Sequence, residues 1–271
     1  MVTATDLDRI REGLRIAGAI LMKYSEEGFS TERKDERNDP VTEADLECDE
    51  ALRTFLPQPG DGWLSEETAD DDSRLACSRV WVVDPLDGTR EFVEHIPEWC
   101  VSIGLVEAGE PVAGGIYNPK TEQMIVGAVG SGVTLNGEPV TATDRGDLAG
   151  AVVLASRSEV KRGEWNRFEG ENFTVKPTGS VAFKLGLVAV GEVDATWTLV
   201  PKSEWDVAAG MALIRAAGGE ALGLNWKLPP LNQPRPKLTG LIASGAKLMG
   251  PIRELLSGPD GNAPQTPSSR S

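Results

Sequence analysis

Apolar residues recur at helical spacing over residues 5–27, with Ile10, Leu14, Ala17, Leu21 and Tyr24 on one face. The pattern predicts an amphipathic helix capped by Thr5 or Asp6. Residues 30–39 are charged and without period, and read as a mobile loop. Thr42 then caps a second helix, with Asp45 three positions on and Leu46, Leu52 and Phe55 as its apolar side. Val80–Val83 is a short apolar run of the buried-strand kind. From Cys100 to about Val140 the signal becomes an antiparallel meander: strands at 101–106, 112–117, 124–129 and 133–135. Residues 107–110 form a four-residue hairpin loop in this reading, and Asn136-Gly137 marks a turn. The second half alternates: strand 152–155, helix 180–190, strand 193–197, helix 205–217, strand 241–244. From Ser257 onward Gly, Pro, Asn and Ser dominate, and that tail is expected to be disordered. The class is α+β.

Charge narrows the partners. The 271 residues carry 27 basic and 42 acidic side chains, a net −15. That balance disfavours nucleic acid and anionic membranes. No run approaches 18 uncharged apolar residues, so no membrane span is expected, and the first residues lack a secretory pattern. Cys48, Cys77 and Cys100 are odd in number and widely spaced, which makes a reducing cytoplasm the default. His95 is the only histidine, so a Ser-His-Asp hydrolase would rest on it alone. Catalysis falls to carboxylates, hydroxyls and metal.

The candidate chemistry centres on Asp84-Pro85-Leu86-Asp87-Gly88-Thr89, directly after the apolar run. Two carboxylates converging at a strand end repel each other unless a cation lies between them, and hard oxygens suit Mg²⁺ or Mn²⁺. Read locally, the same stretch is an acidic turn, Asp45 and Asp206 are first-turn helix acids, and Ser65-Glu66-Glu67 is a solvated pair.

Taken in order, Asp39-Pro40-Val41-Thr42-Glu43-Ala44-Asp45, Ser65-Glu66-Glu67, Asp84–Thr89, Gly179-Ser180 and Trp205-Asp206 resemble the inositol monophosphatase superfamily over residues 5–256. The resemblance implies a layered αβαβα sandwich of the sugar phosphatase type, with its active site between two lobes. Residues 1–145 would form the first lobe, 146–256 the second and 257–271 the tail. It further implies a lithium-sensitive phosphomonoesterase using two or three Mg²⁺ ions per site, with Mn²⁺ as a substitute. Glu66, Asp84 and the Leu86 carbonyl would hold one metal, and Asp84, Asp87 and Asp206 another. Asp45 and Thr89 would activate the attacking water, with the Gly88 and Thr89 N–H groups toward phosphate. The partner is then a small phosphorylated substrate, and a homodimer is common in the family.

Past the metal motif the chain reads Arg90-Glu91-Phe92, similar to the CysQ-type branch that hydrolyses adenosine 3',5'-bisphosphate to AMP. Leu199 stands seven residues before Asp206, where inositol-specific members place a Glu. Ser156-Arg157-Ser158 resembles a nucleotidase motif, so Arg90, Arg157 and Lys184 become candidate substrate contacts. Glu159 departs from that branch, which often has His there, and Gly179–Lys184 is equally similar to the inositol branch. Inositol and sugar phosphatases are the alternative.

Overall fold

The computed structural model describes residues 2–29, 31–33 and 40–257. Helix α1 (Ala4–Glu27) begins two residues earlier than its apolar period suggests: Thr3 is the cap, and the Asp6 carboxylate accepts the Thr3 backbone N–H at 2.8 Å. Strand β1 (Thr31–Arg33) pairs antiparallel with β2 (Pro40–Thr42), so part of the expected loop is a ribbon held by backbone pairing, which side-chain periodicity does not report. Residues 34–39 and the tail beyond Ser257 lie outside the described residues. Helix α2 (Glu43–Phe55) buries Ala44, Cys48 and Leu52, whereas Leu46 is 53% exposed, because the true face runs at i, i+4, i+8 from Ala44.

A seven-stranded sheet follows, in the order β3 (Gly62–Ser65), β4 (Arg79–Asp87), β5 (Cys100–Glu107), β6 (Glu110–Asn118), β7 (Gln123–Ala128), β8 (Gly132–Leu135) and β9 (Glu138–Val140). Only the β3–β4 pair is parallel. The β5–β6 connection is two residues, not four: Ala108 and Gly109 both adopt positive φ, as a tight primed turn requires. Short helix α3 (Thr89–Val93) leaves the end of β4.

The second sheet collects β10 (Val152–Ser156), β11 (Thr174–Thr178), β12 (Ala195–Thr198), β14 (Gly219–Leu222) and β16 (Leu241–Gly245), in the order β11-β10-β12-β16-β14. A two-residue ribbon, β13 (Lys202–Ser203) with β15 (Lys237–Leu238), sits beside it. The helices of this half are α4 (Arg157–Lys161), α5 (Val181–Ala189), α6 (Glu204–Ala216) and α7 (Ala246–Leu256).

Strand alternation sorts these elements into five layers. Trp81 and Val83 of β4 pack toward Ile10, Leu14 and Leu52 of α1 and α2. Val80 and Val82, one residue out of phase, join Leu185, Met211 and Leu213 of α5 and α6. That central core also takes Leu154, Leu241 and Ala243 from the second sheet, so α5 is covered on both sides and is apolar nearly all round. Val153, Trp197 and Ile242 face the other way onto Leu248 and Ile252 of α7. The order is helices, sheet, helices, sheet, helices.

Glycines set the depth of the middle layer. Gly104 of β5 and Gly114 of β6 are cross-strand partners, and a Cβ on Gly114 would lie 2.6 Å from the Ala209 carbonyl oxygen. Helix α6 therefore rests on the sheet at backbone contact. Its first turn is carried to the end of β4, where the Ser102 hydroxyl donates to the Trp205 carbonyl at 3.4 Å.

Candidate metal centre and phosphate cleft

Asp84 and Asp87 are three residues apart, and in a regular strand an odd offset would place them on opposite faces. Strand β4 escapes this with a bulge. Asp84 pairs with Ser102 and Asp87 with Cys100, so three steps on β4 match two on β5. The extra residue returns both carboxylates to the face that meets α5 and α6. Pro85 lies inside the bulge, where a missing N–H costs no ladder bond.

Glu66 follows β3, and its N–H donates to the Val83 carbonyl at 3.3 Å, which sets it beside Asp84. Asp206 enters from the first turn of α6, with one oxygen accepting the Ser203 N–H at 3.0 Å. Carboxylate oxygens of Glu66, Asp84 and Asp206 lie within 4.8 Å of one another. Asp87 stands outside that trio. Its Oδ2 accepts from the Ser180 hydroxyl at 2.7 Å and from the Ala182 N–H, at the start of α5.

Electrostatics make the cluster a candidate cation site. Burial, then Glu66, Asp87 and Asp206, push the Asp84 carboxyl well above the usual range. Burial, Asp87 and Glu66 raise Asp206 to about 8. Burial also raises Asp87, against the lowering effect of its Ala182 and Ser180 bonds. Buried acids that repel one another are costly unless a cation compensates them, and an all-oxygen donor set of this kind fits Mg²⁺ or Mn²⁺.

This cost has a sign. A folded-state pKa above the unfolded value makes stability fall as pH rises from 3.8 toward about 8 for Asp206. Asp206→Asn is expected to flatten the fall in metal-free Tm between pH 5 and pH 8, and Mn²⁺ is expected to raise wild-type Tm more at pH 8 than at pH 5. Calorimetric scans with and without EDTA check both; an unchanged slope in the variant would count against the cluster.

The Thr89 hydroxyl lies 3.0 Å from the Leu86 carbonyl and 3.4 Å from Asp45 Oδ1. The other Asp45 oxygen accepts from the Thr42 backbone N–H and hydroxyl at 2.7 and 2.6 Å. Asp45 thus both closes the Thr42 capping box of α2 and partners Thr89.

A cleft of about 370 Å³ opens over these groups, lined by Glu66, Asp84, Leu86, Asp87, Gly88, Thr89, Arg90, Lys184 and Asp206. It also takes in Ser156 and Ser158 of the Ser-Arg-Ser motif, together with Arg162 and Lys202, which motif reading missed. Lys202 is the fourth residue before Asp206, and only the β13 ribbon turns it inward. Lys184 is buried, donates to the Ser180 and Thr178 carbonyls at 2.6 and 3.3 Å, and is lowered to about 8 by burial.

Two positions expected at the substrate have other surroundings. Arg157 is absent from the cleft lining; its guanidinium grips Glu98 with two bonds of 2.7 and 2.6 Å. Leu199 is 7% exposed in the core shared with Trp197 and α7, outside that lining. Glu159 is no threat to a phosphate either: it is buried, accepts from the Thr198 hydroxyl at 2.6 Å and pairs with Lys202 at 3.3 Å.

The family model described as "Inositol monophosphatase family" matches residues 6–254. The chain belongs to the inositol monophosphatase family. Inositol monophosphatase 3 of Solanum lycopersicum is 34% identical over 229 residues, covering 79% of this chain and 84% of that protein. Among solved structures, the extragenic suppressor protein suhB of Bartonella henselae superposes with a TM-score of 0.80 at 26% identity, covering 94% of this chain and 100% of that one. CysQ of Bacteroides thetaiotaomicron, described as a bacterial member of the family, superposes at 0.74 with 28% identity, covering 90% and 97%. This family member is a phosphatase of small phosphorylated substrates. No helix among its described residues is long and apolar enough to cross a membrane.

Proposed function

We propose that this inositol monophosphatase family member is a Mg²⁺-dependent phosphomonoesterase whose preferred substrate bears a second anionic group, with adenosine 3',5'-bisphosphate as the leading candidate. The observation that carries the reading is the cationic wall of the cleft: Arg90, Arg162, Lys184 and Lys202 line it together with the carboxylates. A single phosphate seated over a metal cluster needs little further positive charge, whereas a second phosphate does. The structural likeness to CysQ agrees with this reading.

Glu66, Asp84, Asp87, Asp206 and the Leu86 carbonyl would hold the metal. Bound there, Mg²⁺ supplies charge neutralisation and an acidified water. The Thr89 hydroxyl would orient an attacking water, since a hydroxyl that donates to Asp45 or Leu86 can still accept a hydrogen bond. The Gly88 and Thr89 N–H groups stand at the start of α3, where Gly88 at φ +98° gives the turn its form. Lys184 and Lys202 would fix the second anion.

The relatives named inositol monophosphatase favour a second reading, inositol 1-phosphate. Phosphate release from the two substrates side by side, with Mg²⁺ and then EDTA, decides. A kcat/KM at least about tenfold higher for the nucleotide, roughly 1.4 kcal/mol, is the expected result. The reverse ranking would overturn the substrate assignment and keep the metal chemistry. Millimolar lithium is expected to inhibit in either case, and full activity in its presence would remove lithium sensitivity from the reading.

A further inference from the structure

Arg157 is a resemblance-based substrate candidate whose guanidinium the geometry engages elsewhere, and its partner shows where it acts. The Glu98 carboxylate accepts the Arg157 guanidinium edge-on through Nε and Nη2, at 2.7 and 2.6 Å. The same Glu98 Oε2 accepts the backbone N–H of Gly179 at 2.6 Å. Three charge-assisted bonds converge on one side chain. Burial alone would raise the Glu98 carboxyl, but the Arg157 and Gly179 bonds outweigh it and hold the group ionised below its usual range.

Glu98 stands between the two segments that shape the Asp87 environment. On one side its backbone carbonyl backs Gly88: a Cβ there would lie 2.8 Å from Glu98 O, and the φ of +98° already favours glycine. On the other side its carboxylate holds Gly179, which is itself pressed so closely on Glu91 that a Cβ would lie 2.4 Å from that side chain. Ser180 comes next, in a left-handed backbone conformation at φ +54° that a serine does not adopt unaided. From that position its hydroxyl and the Ala182 N–H both donate to Asp87 Oδ2.

We propose that Glu98 and Arg157 form a clasp that positions Asp87: the pair fixes Gly179, Gly179 sets the strained Ser180, and Ser180 with Ala182 orients the Asp87 carboxylate toward the metal cluster. They are positioning residues, acting through α5 and touching no substrate. The inference rests on the metal-centre reading above. Arg157 is 41% exposed and Glu98 21%, so the clasp adds little to global stability. Its consequence is local, in the aim of one ligand. Groups that orient metal ligands typically govern affinity by roughly 10- to 100-fold.

The test measures Mn²⁺ binding by titration calorimetry on metal-free full-length protein, alongside Mg²⁺ half-saturation, kcat and KM. Glu98→Gln and Arg157→Met are each expected to weaken Mn²⁺ about tenfold or more and to raise the Mg²⁺ requirement equally for both substrates, with Tm within a few degrees of wild type. The double variant should be no worse than either single one, because both break the same clasp. Arg157→Lys, which keeps charge but loses the fork, should fall between, and it carries the test alone if Glu98→Gln does not fold. Unchanged Mn²⁺ affinity in Arg157→Met would overturn the proposal; if KM for the bisphosphate alone then rose, Arg157 would be a substrate contact. Wild type that binds Mn²⁺ but releases no phosphate would sink the phosphatase reading while leaving the clasp testable by binding.

Discussion

Asp84→Asn is expected to lower kcat/KM at saturating Mg²⁺ by on the order of 10³-fold, about 4 kcal/mol of transition-state stabilisation. Asp84 is the buried centre of the cluster, raised by Glu66, Asp87 and Asp206 together, so it is the carboxylate whose charge the others most depend on a cation to tolerate. One bound metal supplies several kcal/mol to phosphoryl transfer. The amide keeps the local fold: its oxygen still accepts the Leu86 N–H that Asp84 Oδ1 now takes at 3.1 Å. Removing one anion also relieves repulsion, so the metal-free variant should melt no lower than wild type at pH 8. Mn²⁺ should stabilise it far less than wild type. Steady-state kinetics and paired melts check this, and activity within tenfold of wild type would remove Asp84 from the centre.

Gly114→Ala is expected to damage the same site from two strands away on the same face of the sheet. The new methyl would meet three backbone atoms of α6: the Ala209 oxygen at 2.6 Å, its Cα at 2.8 Å and its carbonyl carbon at 3.0 Å. A helix backbone does not step aside as a flexible side chain does, so α6 as a whole must move. Overpacking of this kind costs about 1–3 kcal/mol. Since α6 carries Asp206 in its first turn, a shift approaching 1 Å should also cost up to about 10²-fold in turnover. Gly250→Ala is the matched control: nothing lies within 4 Å of the added Cβ, and in α7 it should be neutral or stabilise by up to about 1 kcal/mol. A Gly114→Ala protein with wild-type Tm and kcat would refute the close-contact argument.

Some of the site was legible because motif and local structure coincide. The Ser-x-x-Asp and Thr-x-x-Asp patterns at Ser203–Asp206 and Thr42–Asp45 read as helix caps or as functional acids, and in the structure both acids close capping boxes while one sits in the carboxylate cluster and the other beside Thr89. A cap fixes a carboxylate rigidly at a helix start, and a site needs the same rigidity. Arg162 and Lys202 were illegible because neither belongs to a periodic or motif-bearing stretch. Arg157 and Leu199 show the converse: their motif positions suggested substrate, while their observed partners, Glu98 and the side chains of α7, are remote in sequence. Leu46 failed more simply, since with few apolar residues in α2 the phase of its buried face is set by Ala44 and Cys48.

What the sequence determined by itself was the two leading helices, the meander, much of the alternating second half and the candidate acids of the metal centre, from local spacing and the family resemblance; strands β11 and β14 and helix α7 were left unread. What only the tertiary structure decided was convergence. The bulge in β4 puts Asp84 and Asp87 on one face, the Gly104–Gly114 floor lets α6 bring in Asp206, and Glu98 ties Arg157 to the Gly179 N–H just ahead of α5. Each depends on contacts between residues far apart in the chain, and side-chain periodicity along one segment carries no information about the partner it meets.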